Sequence, residues 1–311
     1  MKSETSYPSI RFVGNLSQGA WQLVSPLTRF RWFPKIRGFL TLVRPGRVLM
    51  VASLTGVSAF VANVPWPQQW VITFGGMFLA MAGFALDFYT DSEADRRAPR
   101  PWPINPISTG MMEAKTARKW IAFFIVSGLS LCVWANLFTL VPAAILLLTY
   151  WGLAAGVLDG PVGRAVTLGL LQALYVLLAA AATGGIPLLM LWVAAVFFMA
   201  MVGARAAADI RDLPTDLLTQ TRTLPKVIGV KATSWIMPIA ITISAFISLG
   251  IYRFGPFDQD YLIWTIVSFG PAVVLAWSFP IRPTPNYAFI LVWPYWGCGV
   301  FYMVALVTGK Y

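Results

Sequence analysis

The chain alternates long uncharged runs with short polar turns. Nine runs are long and apolar enough for a spanning helix, which needs roughly 20 mostly apolar residues. They lie near 46–64, 69–88, 118–137, 138–156, 165–183, 186–207, 232–252, 261–279 and 287–307. The turns between them carry Pro and Gly, as in NVPWPQQ, GGIP, FGPF and IRPTPN. Such residues stop helices and suit short membrane loops. Only LFTL and Pro142 separate the third and fourth runs, so that boundary is the softest. The pattern predicts an all-α membrane protein, nine transmembrane helices in one bundle. No stretch reads as a separate soluble domain. The expected organisation is a basic segment over residues 1–40 and a single nine-helix domain over 41–311.

Composition agrees: 58% of the residues are hydrophobic and 11% charged, where a soluble protein carries about 25% charged residues. The first forty-odd residues are polar and basic with no early apolar core, so the first apolar run is expected to remain as a membrane helix. Charge then sets an orientation. Of 23 Lys and Arg, eight lie before or at the very start of the first run, and alternating sides across nine helices puts all but Arg253 and Lys310 on that same side. The positive-inside rule makes that side cytoplasmic. The same asymmetry accounts for the net charge of +11. Nucleic acid is excluded as a partner because the cations flank spans and form no soluble basic module. Cys132 and Cys298 lie inside runs and read as apolar filler. With no His in the chain, a zinc or haem site lacks its usual imidazole.

The acids are few and clustered. Twelve Asp and Glu occur, and seven fall in two stretches, DFYTDSEAD (Asp87, Asp91, Glu93, Asp95) and DIRDLPTD (Asp209, Asp212, Asp216). Each follows an even-numbered run on the cytoplasmic side. Each leads to a loop with Gly, then a basic residue, then a Trp entering the next helix, which reads as a weak internal repeat. At about 100° per residue, each Asp trio forms one stripe if its helix continues. Stacked carboxylates repel, and one set deeper in a span costs about 2.5–3.5 kcal/mol on insertion scales. A hard divalent cation offsets this, and Mg²⁺ binds through one or two carboxylates plus substrate phosphates. Arg96, Arg100, Lys115, Arg211, Arg222 and Lys226 surround the trios. Guanidinium and metal together hold a diphosphate and stabilise its leaving charge. A polar mouth above an apolar bundle suits a diphosphate head on a hydrocarbon tail, such as a prenyl diphosphate.

These motifs resemble the UbiA superfamily of intramembrane prenyltransferases. LDFYTDSEADRRAPRPWPINPISTG resembles its first Asp-rich motif, with Asp91 and Asp95 at the metal-binding acids and Arg100-Pro101 at its R-P. ADIRDLPTDLLTQTRTLPKVIG resembles the second, through Asp209, Arg211, Asp212, Asp216, Arg222, Thr223 and Gly229. VRPGRVL is similar to the family's pattern before the first span, at Arg44-Pro45. The likeness covers roughly residues 40–307. It departs at Asp87, where the family usually has Asn, and at Phe88, often Asp. It departs again after the fourth run, where Tyr150 is present, no Lys follows, and Arg164 is a substitute or a topogenic charge.

The resemblance implies nine helices around a central cavity and an Mg²⁺-dependent prenyltransferase. Asp91, Asp95, Asp212 and Asp216 would hold metal and diphosphate, with Asp87 and Asp209 assisting. Arg100, Arg222 and Lys226 would neutralise the leaving group, with Arg96, Lys115 and Arg211 behind them. The partners would be an isoprenyl diphosphate and an aromatic or lipid acceptor. A membrane terpene cyclase on the same scaffold is the alternative enzyme. A transporter or lipid-binding protein is the non-enzymatic one, since acids in spans also mark ion pathways.

Overall fold

The computed structural model describes residues 33–97, 104–158, 160–217 and 222–310. Among these, the regular structure is helical. In chain order the helices are α1 (Phe33–Val43), α2 (Pro45–Val61), α3 (Trp66–Arg97), α4 (Ala114–Ala135), α5 (Leu140–Ala154), α6 (Pro161–Ala181), α7 (Leu188–Asp216), α8 (Leu224–Val227), α9 (Val230–Phe254), α10 (Gln259–Ser278) and α11 (Pro285–Thr308). Local chemistry sets their ends. Proline opens α2, α6 and α11, where its missing N–H costs nothing. Asp258 caps α10 by accepting from Asp260 N and Tyr261 N. Thr284 caps α11 by accepting from Tyr287 N.

The soft boundary between the third and fourth predicted spans falls at Asn136, in extended conformation. Its Oδ1 accepts from Phe138 N, and a single 3₁₀ turn, Leu137–Thr139, leads into α5. The Thr139 hydroxyl reaches back to the Cys132 carbonyl at 2.7 Å, so the break leaves few polar groups bare in hydrocarbon.

Among the described residues, eight helical segments are long and apolar enough to cross a membrane, and a ninth span arises if Lys35–Val43 and Pro45–Val61 count as one. That pair bends by 42°. Pro45 breaks the helix and Arg44 sits at φ +50°, a left-handed conformation that is strained for a residue with a Cβ.

Two helices outrun their predicted spans. α3 has 32 residues and α7 has 29, about 48 Å and 44 Å at 1.5 Å per residue, against roughly 30 Å of hydrocarbon. The sequence pattern ends these spans at 88 and 207 because hydropathy stops there; the helices continue to Arg97 and Asp216. Both acid stretches are therefore helical and sit on the overhanging turns. Pairs at helical spacing support those turns, Glu93 with Arg96 and Arg97 on α3 and Arg205 with Asp209 on α7.

Packing runs round a closed circuit, α2–α3–α6–α7–α11 and back to α2. α4 and α5 brace α3 from outside; α9 and α10 brace α7 and α11. The two longest helices thus each take a close partner next in the fold, α4 on α3 and α9 on α7. Gly83 allows the Tyr150 ring to lie against α3, since a Cβ there would come within 2.4 Å of it. Gly203 does the same for Tyr295, whose hydroxyl donates to the Ala200 carbonyl at 2.6 Å and ties α11 to α7. At the far end from the acids, the hydroxyls of Ser248, Tyr261 and Tyr302 join α9, α10 and α11. There Lys310 also clasps the Phe60 carbonyl of α2 and lies over the Phe60 ring at 4.4 Å.

Helix order places the loops after α3 and α7 at one end of the bundle. Single cysteines at Ser108 and Val227 should label from one side of the membrane, and at Trp66 and Pro256 only from the other. The native Cys132 and Cys298 are buried and give little background. Opposite labelling of Ser108 and Val227 would rule out a shared site.

Candidate active site

The first acid group starts one residue past the apolar face of α3. Asp87 Oδ2 meets Arg44 Nη2 at 3.0 Å. The Arg44 guanidinium also lies 3.9 Å over the Phe88 ring, a cation–π contact that is strongest where water is excluded. The strained bend between α1 and α2 therefore delivers a guanidinium to the first carboxylate. Phe88, a departure from the family pattern, is the platform under it. Asp91 follows one turn later and is half-buried.

Asp95 is 7% exposed and has a definite local partner. Asn105 Nδ2 donates to Asp95 Oδ2 at 2.9 Å and to the Phe88 carbonyl at 2.8 Å. Its Oδ1 accepts from Ile107 N at 2.9 Å. Asp95 thus fastens the returning loop to the end of α3. Arg96 points elsewhere: it pairs with exposed Glu93 at 2.9 Å, about 140° round the helix from Asp91.

The second group lies on α7. Arg205 Nη2 approaches Asp209 Oδ1 at 2.5 Å, with the Asp209 side chain 1% exposed. Arg211 grips Asp212 through two bonds, Nε to Oδ1 at 2.7 Å and Nη2 to Oδ2 at 2.9 Å. Burial pushes the Asp216 carboxyl above the usual range, and the charge of Asp212 adds to that. Lys226 donates to the Asp216 backbone carbonyl at 3.0 Å, closing the end of α7 as a cation does at a helix C-terminus. Arg222 is exposed on the approach to α8, and Lys115 is exposed in the first turn of α4. Neither has an ion pair among the described residues. Arg100 lies outside the described residues.

Electrostatics join the two groups. Arg47, on α2, lies within reach of Arg44 and Asp87 and also of Arg205 and Arg211 on α7. Arg164, at the start of α6, acts on both Asp209 and Asp216. Tyr150 feels Asp87, Arg44 and Arg47, and its hydroxyl is 3.0 Å from that of Tyr175. One end of the bundle therefore gathers carboxylates from α3 and α7 and guanidiniums from α2, α6 and α7. Beside it, an apolar groove of about 300 Å³ runs between α3, α4 and α5, lined by Gly83, Leu86, Ile121, Leu147, Tyr150 and Trp151 among others. Among the described residues no three acids or cysteines stand close enough to hold a metal without other ligands. The arrangement provides one or two carboxylates at a time, each near a guanidinium.

A family profile, the UbiA prenyltransferase family, matches residues 49–292. The chain belongs to the UbiA prenyltransferase family. It is thus a multi-pass integral membrane protein of a prenyltransferase family. It is 26% identical to a digeranylgeranylglyceryl phosphate synthase of Natronomonas pharaonis, over 82% of this chain and 92% of that one. Solved structures share the fold of this UbiA member. A digeranylgeranylglyceryl phosphate synthase gives a TM-score of 0.73 at 18% identity, covering 89% of this chain and 98% of that one. A UbiA homologue from Archaeoglobus fulgidus bound to DMAPP and Mg²⁺ gives 0.65 at 13% identity, covering 88% and 98%. A homologue from Aeropyrum pernix K1 gives 0.64 at 16%, covering 82% and 97%.

The sequence pattern underrated four arginines of this UbiA site: Arg44, Arg47, Arg164 and Arg205. Arg205 had a usable signal, being a charge inside an apolar run. Arg44 and Arg47 were hidden among topogenic cations, and the bend at Pro45 is what brings Arg44 onto Asp87. Asn105 gave no signal, because its partners are 10 and 17 residues away.

Asn105→Ala should lower the unfolding free energy by about 1–3 kcal/mol, the cost of removing a partner from a buried polar group. Thermal unfolding in detergent measures this. An unchanged melting temperature would mean that Asp95 does not need Asn105 to stay buried.

Proposed function

We propose that this chain transfers a prenyl group from an isoprenyl diphosphate to a hydrophobic or aromatic acceptor, with Mg²⁺, at the cytoplasmic face. The observation that carries this reading is the placement of two acid-bearing overhangs, α3 and α7, at one end of an apolar bundle, with guanidiniums beside their carboxylates. Membership of the family supports the reaction class. The Archaeoglobus fulgidus homologue, solved with DMAPP and Mg²⁺ and in a further structure with GPP and Mg²⁺, supports the substrate and the cation. The cytoplasmic assignment is supported by the charge bias, 21 of 23 cations falling on the acid-bearing side.

The donor set suits Mg²⁺. It offers carboxylate oxygens, no His, and only cysteines buried within spans. Mg²⁺ takes one or two carboxylates and completes its shell with water and phosphate, so the absence of a three-acid cluster among the described residues is compatible with it. Asp91, Asp212 and Asp216 would hold it, with Asp87 and Asp209 near. Burial and neighbouring charge raise the Asp216 carboxyl, a strain that a cation relieves. When bound, the ion supplies positive charge against the diphosphate oxygens.

This chain's own residues do the rest. Arg211, Arg222 and Lys226 would neutralise the charge that develops on the departing diphosphate, with Lys115 in the first turn of α4 and Arg100, outside the described residues, as further candidates. The C–O bond breaks with its electron pair on oxygen, leaving an allylic cation on the tail. The acceptor nucleophile attacks that carbon and loses a proton. The surrounding helices exclude water that would otherwise trap the cation. Asp95, tied to Asn105, anchors the chain at residue 105 to the end of α3. Arg96, turned toward Glu93, is a weaker participant than its position in the sequence suggests.

Asp91→Asn and Asp212→Asn should each cut turnover by at least about 100-fold, as losses of transition-state charge stabilisation do, with the protein still monodisperse in detergent. Chelator should abolish activity and Mg²⁺ restore it. Full activity in both variants would remove these acids from the site.

A second experiment separates transfer from cyclisation. Purified protein with Mg²⁺ and geranyl, farnesyl or geranylgeranyl diphosphate alone should give little beyond slow hydrolysis. Adding an acceptor should release diphosphate with a prenylated product. Efficient formation of a cyclic hydrocarbon or alcohol from the diphosphate alone would replace this reading with the cyclase.

A further inference from the structure

Tyr150 and Tyr175 share one buried hydrogen bond where two protons need acceptors. Their hydroxyl oxygens lie 3.0 Å apart, and the residues are 9% and 1% exposed. A phenol carries one O–H and also accepts, so the pair holds two protons and places one of them. The other has no acceptor among the described residues. A buried donor in that state costs free energy until an oxygen meets it.

Position decides which tyrosine carries the spare proton. Tyr150 reaches from α5 to α3 at Gly83, where a Cβ would stand within 2.5 Å of its Cε1, Cζ and Cε2 atoms. The tip of the ring fills that notch, so the hydroxyl lies against α3. Gly83 is four residues before Asp87, on the same face and about 6 Å away along the axis. The Tyr150 hydroxyl is therefore one turn inside the first acid of α3, whose side chain is 47% exposed and open to a ligand. Tyr175, on α6, is enclosed in the apolar core. A spare donor on Tyr175 would be stranded there. Tyr175 accordingly donates, Tyr150 accepts, and the Tyr150 O–H is the one left to a ligand.

We propose that Tyr175 is a positioning residue for prenyl transfer: by donating to Tyr150 Oη, it holds the Tyr150 O–H as a fixed donor to the diphosphate oxygen that leaves the prenyl carbon. The inference rests on the prenyltransferase reading. Tyr150 touches the substrate, and Tyr175 acts only through it. As the C–O bond breaks, its electron pair moves onto that oxygen, and a donor already aimed there gains strength without having to reorganise. No proton is transferred. α5 carries no Lys or Arg, so the phenol is the donor it can bring to the leaving group.

The test uses the full chain in detergent as wild type, Tyr150→Phe, Tyr175→Phe and the double variant. The first probe is labelled geranylgeranyl diphosphate with Mg²⁺ and no acceptor, followed in single turnover, so that diphosphate release reads ionisation. Tyr150→Phe should slow release by at least about 100-fold, as loss of one oxyanion donor does. Tyr175→Phe should slow it by about tenfold, since the hydroxyl remains but is no longer aimed. The double variant should be no slower than Tyr150→Phe, because Tyr175 has nothing left to act through. Donor affinity should stay within about twofold throughout. The second probe is inorganic diphosphate with Mg²⁺, read by calorimetry. It carries the full leaving charge and should bind Tyr150→Phe about tenfold more weakly, the scale of one hydrogen bond to a charged group.

A merely structural tie predicts a different pattern: Tyr175→Phe would slow both backgrounds alike, in step with its melting temperature, and diphosphate affinity would not move. That pattern, or a wild-type rate in Tyr175→Phe, overturns the assignment and leaves prenyl transfer standing. If Tyr175→Phe does not fold, Tyr150→Phe decides alone, since an unchanged rate or full diphosphate affinity there removes the donor through which Tyr175 acts. A wild type that neither ionises the prenyl diphosphate nor binds diphosphate with Mg²⁺ overturns the parent reading, and the tyrosine pair with it.

Discussion

A carboxylate enters a hydrocarbon layer only with a counter-charge, and one end of this bundle is organised by that demand. Asp87, Asp209 and Asp212 each meet a guanidinium. The partly exposed pairs contribute little, and in the buried Arg205–Asp209 pair desolvation offsets most of the attraction. Their value here is positional. Each arginine holds a carboxylate in place. Acids and bases are thus ready as a set, and the set is assembled from α2, α3, α6 and α7.

The demand reaches back into the fold. A bend at Arg44–Pro45 with a left-handed arginine is an expensive local conformation. It turns Arg44 onto Asp87 and Phe88. Likewise α3 and α7 are longer than a bilayer requires, since their extra turns carry the acids beyond hydrocarbon while keeping them helical and on one stripe. Glycine at position 83 lets Tyr150 approach α3 closely, so the wall under the charged end is made of rings and aliphatic chains.

Much of this was legible in the sequence. Membrane spans follow from hydropathy because transfer free energy is additive along a helix, and the acid stretches stand out because acids are scarce. Their shared direction followed from helical periodicity, on the condition that the helices continue, which they do. Other features were not legible. Hydropathy sees only where hydrocarbon ends, so it could not mark where α3 and α7 end. It also read residues 33–43 as part of a polar segment, although α1 packs on α3. The division of labour within the first trio depends on Asn105, a loop residue with no pattern of its own. Charge bias explained every cation at once, and for that reason could not single out Arg44, which pairs with Asp87, from Lys115, which has no ion pair among the described residues.

The closure of the helical circuit has a consequence for biogenesis. α11 is the last helix in chain order, yet it packs between α2, the start of the circuit, and α7, with Tyr295 bonded to α7 and Lys310 clasped to α2. The inner ring therefore stays open on one side while the translocon delivers the helices in sequence. The arginines and acids at the charged end of the ring must wait, hydrated or shielded by the insertion machinery, until α11 is delivered. Assembly of the charged end is then a late, concerted event, and any lesion in α11 acts on a site to which that helix contributes no charge.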